Sequence, residues 1–184
     1  MSVDASNTRL SAQKLSVGYR SKKAEKAILE ALDLEINAGE FICLLGSNGA
    51  GKSTLMRTLS GTQKPLAGTI QLGKRNFDTI NPHDRAKVIS TVLTDTFPKG
   101  LMDVYAFTAL GRHPYSGWFG GLSSKDHQII SEALEAANAV DLADRQVSEL
   151  SDGERQKAAI ARALAQQADL MIAVPAHKMA STRM

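Results

Sequence analysis

Apolar and polar positions alternate along the first part of the chain. In "LSAQKLSVGY" Leu10, Leu15 and Val17 stand among polar neighbours, which predicts a half-buried strand. "ILEALDLEI" alternates more cleanly, with Ile28, Leu32, Leu34 and Ile36 on one side, and predicts a second strand. "SKKAEKA" between them reads as a basic, solvated hairpin connection. "FICLLG" is apolar throughout, the pattern of a strand covered on both sheet faces, and it encloses Cys43, expected to be a buried structural thiol. A Gly-rich stretch follows and then "KSTLMRTLSG", a short helix closed by Gly61. "AGTIQLG" and "VISTVLT" supply two further strands.

From about Met102 the period changes. "DVYAFTALGR" and "SSKDHQIISEALEAANAV" predict helices, the second with Ile129, Ile130, Ala133, Leu134 and Ala137 at helical spacing. In "LSDGERQKAAIARALAQQ", Ser151 and Glu154 form an S-x-x-E capping box ahead of an alanine-rich helix. "DLMIAV" reads as one more buried strand. The expected fold is α/β, a mixed sheet with flanking helices, and it carries a mostly helical subdomain. The 184 residues divide into a core over about 8–100, a helical part over about 101–148, a helix and strand over about 149–174, and an atypical tail over 175–184.

Composition narrows the classes. The net charge of +3 is slight and the basic residues are scattered, so no nucleic-acid footprint is indicated. The single cysteine allows no internal disulfide, which suits a reducing compartment. "MSVDASNTRL" lacks the apolar core of a secretory leader, and no apolar run approaches the ~20 residues of a membrane span. The expectation is a soluble protein, or one held at a membrane by a partner.

The sharpest chemical signal is "GSNGAGKST", which matches G-x-x-x-x-G-K-[ST]. Gly46, Gly49 and Gly51 allow a tight turn, while Ser47, Asn48 and Ala50 fill the variable places, so that successive N–H groups face phosphate oxygens. Lys52 sets a cation on the outer phosphates, and the Ser53 hydroxyl can ligate Mg²⁺; Thr54 completes the motif. This points to a nucleotide with Mg²⁺; the loop alone does not separate a kinase, a GTPase and a transport ATPase.

"LSDGERQ" separates the possible nucleotide enzymes. It is similar to the LSGGQ-like signature of ABC transporter ATP-binding subunits, with Asp152 where Gly is commonest and Glu154 where Gln is commonest. A P-loop kinase would leave Leu150–Glu154 unexplained. The resemblance implies a P-loop NTPase core and a head-to-tail dimer. In such a dimer Ser151 and the Gly153 backbone contact the γ-phosphate of ATP held by a second subunit. Tyr19 matches the aromatic that family members stack on adenine. Asp95, or Thr94 in an alignment shifted by one, stands where the family has its Q-loop glutamine, and could touch Mg²⁺.

"ALGRHPYSGWFG" resembles the helical subdomain of importers for iron–siderophore, haem and cobalamin complexes. Pro114, Tyr115, Trp118 and Phe119 are either packed on the helices or a patch that docks on a membrane partner. His113 reads as structural. The implied partners are a second ATP-binding subunit, a polytopic permease and, indirectly, a periplasmic or extracellular substrate-binding protein. The implied place is cytoplasmic, peripheral at the inner face of the cell membrane.

The resemblance runs from about Leu10 to Leu170 and then fails. The family's Walker B strand ends in an aspartate and a glutamate, whose places here fall near Val174 and Pro175. Neither residue can ligate a metal or accept a proton, so poor ATP hydrolysis is expected. His177 lies too early to be the family's switch histidine. The expected accounts are a product truncated or altered in frame after about Ile172, with the final strands of the fold missing, or a degenerate subunit that binds nucleotide without cleaving it. Two other functions remain open: a nucleotide-responsive regulatory partner, and a soluble ABC-type protein without a membrane partner.

Overall fold

The computed structural model describes residues 8–21, 24–93, 97, 100–117 and 121–174. The chain divides into two compact units, Met1–Arg85 and Ala86–Met184.

In the first unit, β1 (Thr8–Arg20) pairs antiparallel with β2 (Glu25–Asn37) and, on its other edge, with β3 (Ala67–Leu72), which pairs with the two-residue β4 (Arg75–Asn76). β1 is the centre of this sheet and buries Leu10, Ala12, Leu15 and Val17. The buried set steps from 12 to 15 because the register shifts there and Lys14 takes a φ of 47°. One extra residue keeps both halves of the strand facing the same core. Opposite the bulge stands Gly68, at φ 85°, where a Cβ would lie 2.3 Å from the Lys14 carbonyl oxygen. The hairpin is closed by the Ser21 N–H to Ala24 carbonyl bond, so Glu25–Ala27 of the expected connection belong to β2. α1 (Lys52–Leu59) covers β1, burying Thr54, Leu55, Thr58 and Leu59, and ends before Gly61 at φ 76°. α2 (Pro82–Val88), which no hydrophobic period announces, follows a 3₁₀ turn at Phe77–Thr79.

One expectation is overturned in this unit. "FICLLG" joins no strand ladder among the described residues; Phe41 is 94% and Leu45 84% exposed, and Cys43 is exposed rather than buried. An apolar run becomes a buried strand only where neighbouring strands take its N–H and C=O groups and helices cover its faces. The described ladders supply neither to this segment.

In the second unit, β5 (Ile89–Leu93) and β6 (Leu170–Val174) form a parallel pair, Ile89 opposite Leu170 through Leu93 opposite Val174. Burial on β6 is one-sided: Ile172 is buried and Met171 and Ala173 are exposed, so the fully buried strand expected here is corrected. α3 (Val104–Ala109), a 3₁₀ segment (Leu110–Tyr115), α4 (Ser124–Ala136) and α5 (Asp152–Ala165) build the rest. Their shared core joins Val104 and Phe107 of α3, Ile130 and Leu134 of α4, Val147 and Leu150, and Ala158 and Ala161 of α5. Both long helices start on capping boxes: Ser123 with Asp126 for α4, Ser151 with Glu154 for α5.

Candidate functional site

The glycine-rich loop leads directly into α1. Gly46, Gly49 and Gly51 have φ values of 154°, 84° and 88°, the last two in the left-handed region that favours glycine. Gly51 is also crowded: a Cβ there would lie 2.6 Å from Ile28 Cγ2. As the N-cap of α1 it offers no side-chain acceptor, and the first turn holds no acid. The N–H groups of Lys52, Ser53 and Thr54 therefore open the helix without an internal partner, at its positive end. Lys52 Nζ donates to the carbonyl oxygens of Gly46 at 2.6 Å and Ser47 at 2.7 Å, which folds the lysine back over the loop. Ser47, Asn48, Gly49 and Ala50 are exposed, Ser53 is half-buried and Thr54 is buried. A cation, unpartnered helix N–H groups and an exposed glycine turn together fit a polyphosphate.

Tyr19, near the end of β1, is 52% exposed, and its hydroxyl lies 3.2 Å from Thr54 Oγ1. This contact ties the aromatic to the first turn of α1. Thr54 is thereby a support for Tyr19 and the loop.

The second set of residues opens α5. Ser151 is exposed, extended at φ −63° and ψ 163°, and caps the helix. Glu154 Oε2 accepts the Ser151 N–H at 2.8 Å and the Ser151 hydroxyl at 2.7 Å, while Glu154 Oε1 accepts Arg145 Nη1 at 2.7 Å. The Ser151 N–H and hydroxyl, followed by Arg145, hold the Glu154 carboxyl down to about 2. Leu150 anchors the segment in the core. Asp152 is exposed, with Arg155 Nη1 3.8 Å from its carboxylate, and Gly153 faces open space. The start of α5 is thus a solvent-facing helix end closed by its own capping box.

Asp95, Trp118, Phe119 and Pro175 lie outside the described residues, as does His177. The backbone of Val174 closes β6. His113 is exposed, and among the described residues no group of three or more His, Cys, Asp or Glu is placed to hold a metal ion. Pro114 is buried, and Tyr115 lies under the Arg112 guanidinium, 4.2 Å from the ring centre.

Gly111 and Arg112 are the important residues that patterning misses. Arg112 is buried, and it donates to Asp126 Oδ1 of α4 at 2.8 Å, to the Ala165 carbonyl of α5 at 2.8 Å and to Gln167 Oε1 at 3.2 Å. Gly111 lets the 3₁₀ segment touch α5, since a Cβ would sit 2.3 Å from the Arg162 carbonyl oxygen. The signal available was a Gly-Arg pair ahead of a proline within an otherwise helical block.

Residues 29–173 match the family model described as ABC transporter. The chain is 43% identical over 163 residues to an uncharacterized ABC transporter ATP-binding protein, MJ0873, of Methanocaldococcus jannaschii, covering 89% of this chain and 55% of that protein. It is 39% identical over 145 residues to the hemin import ATP-binding protein HmuV of Pseudomonas aeruginosa, covering 79% of this chain and 55% of that protein. Among solved structures it resembles an inward-facing ABC transporter assigned to the metal-chelate type, with a TM-score of 0.71 and 29% identity, over 90% of this chain and 58% of the other. The chain therefore spans about half the length of the curated relatives it matches. These likenesses carry the P-loop NTPase fold with its helical part.

Proposed function

Given that the chain belongs to the ABC transporter family, we propose that it is the ATP-binding, energy-coupling part of an importer for an iron chelate, haem or a corrinoid. The observation that carries this reading is a pair of helix starts. One is the glycine loop with Lys52 at α1, and the other is the Ser151–Glu154 end of α5. The hemin-import name of one relative and the metal-chelate type of the similar structure support the substrate class.

In this reading Gly46–Thr54 hold the triphosphate, and Tyr19 stacks on the base. The Ser53 hydroxyl would help hold Mg²⁺, which would supply neutralisation of phosphate charge. Within the Leu150–Glu154 signature, Ser151 and the Gly153 backbone meet the ATP of a second copy, head to tail, while buried Leu150 anchors the segment and Asp152 and Glu154 flank it. A polytopic permease is the membrane partner and the cytoplasmic face the location. Asp95, or Thr94, would take the role of the family's Q-loop glutamine toward Mg²⁺. The core, helical part and signature-to-strand divisions set out above belong to the same proposal. Among the described residues no helix is long and apolar enough to cross a membrane. Val174 and Pro175, where two carboxylates are expected, cannot activate water, so the chain as it stands binds ATP and turns it over poorly.

The test compares binding with turnover. Calorimetry should show MgATP binding that Lys52→Ala weakens about 100-fold, beside phosphate release at the level of a no-enzyme control. Absence of ATP binding would overturn the reading; turnover at rates ordinary for kinases would overturn the hydrolytic half of it.

A further inference from the structure

This chain departs from the commonest signature at two places, Asp152 and Glu154, and both departures add negative charge to the first turn of α5. A carboxylate there stabilises the helix, yet it opposes a polyphosphate arriving at the same end. The structure sets an arginine against each acid. Arg145 Nη1 meets Glu154 Oε1 at 2.7 Å, and Arg155 Nη1 lies 3.8 Å from Asp152 Oδ1. Arg145 comes from outside the helix, in the turn where its own N–H bonds to the Leu142 carbonyl at 2.9 Å. It is the closer of the two contacts, and it fixes the carboxylate whose other oxygen receives both the N–H and the hydroxyl of Ser151.

We propose that Arg145 is a positioning residue for nucleotide held by a second copy of this chain, neutralising Glu154 and holding its carboxylate on Ser151 so that the γ-phosphate meets no net negative charge. The inference rests on the head-to-tail reading above. Arg145 acts through Glu154 and does not touch the phosphate. Its removal is harmful only while Glu154 keeps its charge, and this separates charge compensation from simple support of the turn.

The experiment measures self-association in MgATP by sedimentation velocity for the wild-type chain, Arg145→Ala, Arg145→Lys, Glu154→Gln and the Arg145→Ala/Glu154→Gln double variant. Calorimetric ATP binding by each monomer and thermal melting serve as controls. Arg145→Ala should weaken ATP-dependent association about tenfold with monomer binding unchanged, and Arg145→Lys should retain most of it. Glu154→Gln should associate at least as tightly as wild type, and the double variant should recover to within about threefold of wild type. A merely structural ion pair predicts that Glu154→Gln is as harmful as Arg145→Ala and that the double variant gains nothing; either result overturns the proposal. Direct phosphate contact by Arg145 predicts no recovery and overturns it too. Failure of the wild-type chain to associate while it binds ATP would remove the head-to-tail reading itself, and the proposal with it.

Discussion

Arg112 Nε lies 2.8 Å from Asp126 Oδ1, and the two side chains are only 6% and 14% exposed. Asp126 is itself the capping acid of α4, bound to the Ser123 N–H at 2.9 Å and its hydroxyl at 2.6 Å. Through Arg112 the start of α4 is joined to the Ala165 carbonyl, at the end of α5. One guanidinium therefore closes two helix termini at once.

Arg112→Ala should lower the unfolding free energy by about 2–3 kcal/mol, since it strands a buried carbonyl and removes a charged hydrogen bond. Arg112→Lys should recover little, because an ammonium cannot span Asp126 and Ala165 as the planar fork does. Urea denaturation of both variants checks this.

Acid should loosen the same region. The Ser123 hydroxyl and N–H, followed by Arg112, hold the Asp126 carboxyl well below its ordinary 3.8, and Glu154 is held to about 2 from 4.5. Each carboxyl binds its proton more weakly folded than unfolded. Its stabilising contribution is therefore complete above about pH 4.5 and is lost as pH falls through the folded value. Melting temperatures taken between about pH 5 and pH 2 should fall less steeply for Asp126→Asn and Glu154→Gln than for wild type.

Gly111→Ala should cost about 1–3 kcal/mol, because the added methyl meets backbone that cannot give way. Gly153→Ala is the control: its Cβ meets nothing within 4 Å, and its effect on melting should be small.

Lys52→Ala should weaken ATP binding by about 100-fold while leaving the melting temperature of the nucleotide-free protein nearly unchanged. The two contacts of the lysine are to exposed loop carbonyls, so little of the fold depends on it. Titration with a fluorescent ATP analogue, beside a melt, reads both.

Cys43 should react to completion with an aromatic disulfide reagent in native buffer, at a rate near that of a free thiol. Protection until denaturant is added would contradict the exposed placement of the Phe41–Leu45 segment.

The alternation of Leu10, Leu15 and Val17 was enough to find β1, but not its bulge, because a period of two has no place for the extra residue at Lys14. The loop and both helix starts were legible residue by residue, since glycine φ values and capping boxes are local chemistry. Burial was less so. Cys43 and its neighbours look internal by composition, yet the structure exposes them, and it buries Arg112, which no hydrophobic pattern marked. Whether a side chain is covered depends on which distant strand or helix arrives beside it, and no local period records that.

The buried face of α5 consists of Ala158, Ala159, Ala161, Ala163 and Ala165. Methyl groups have no rotamers to exchange, so this face cannot absorb a push by repacking. A displacement of α5 along its axis would act on the Ala165 carbonyl, which Arg112 holds. α5 is in this sense a connecting rod between its own capping box and the cap of α4.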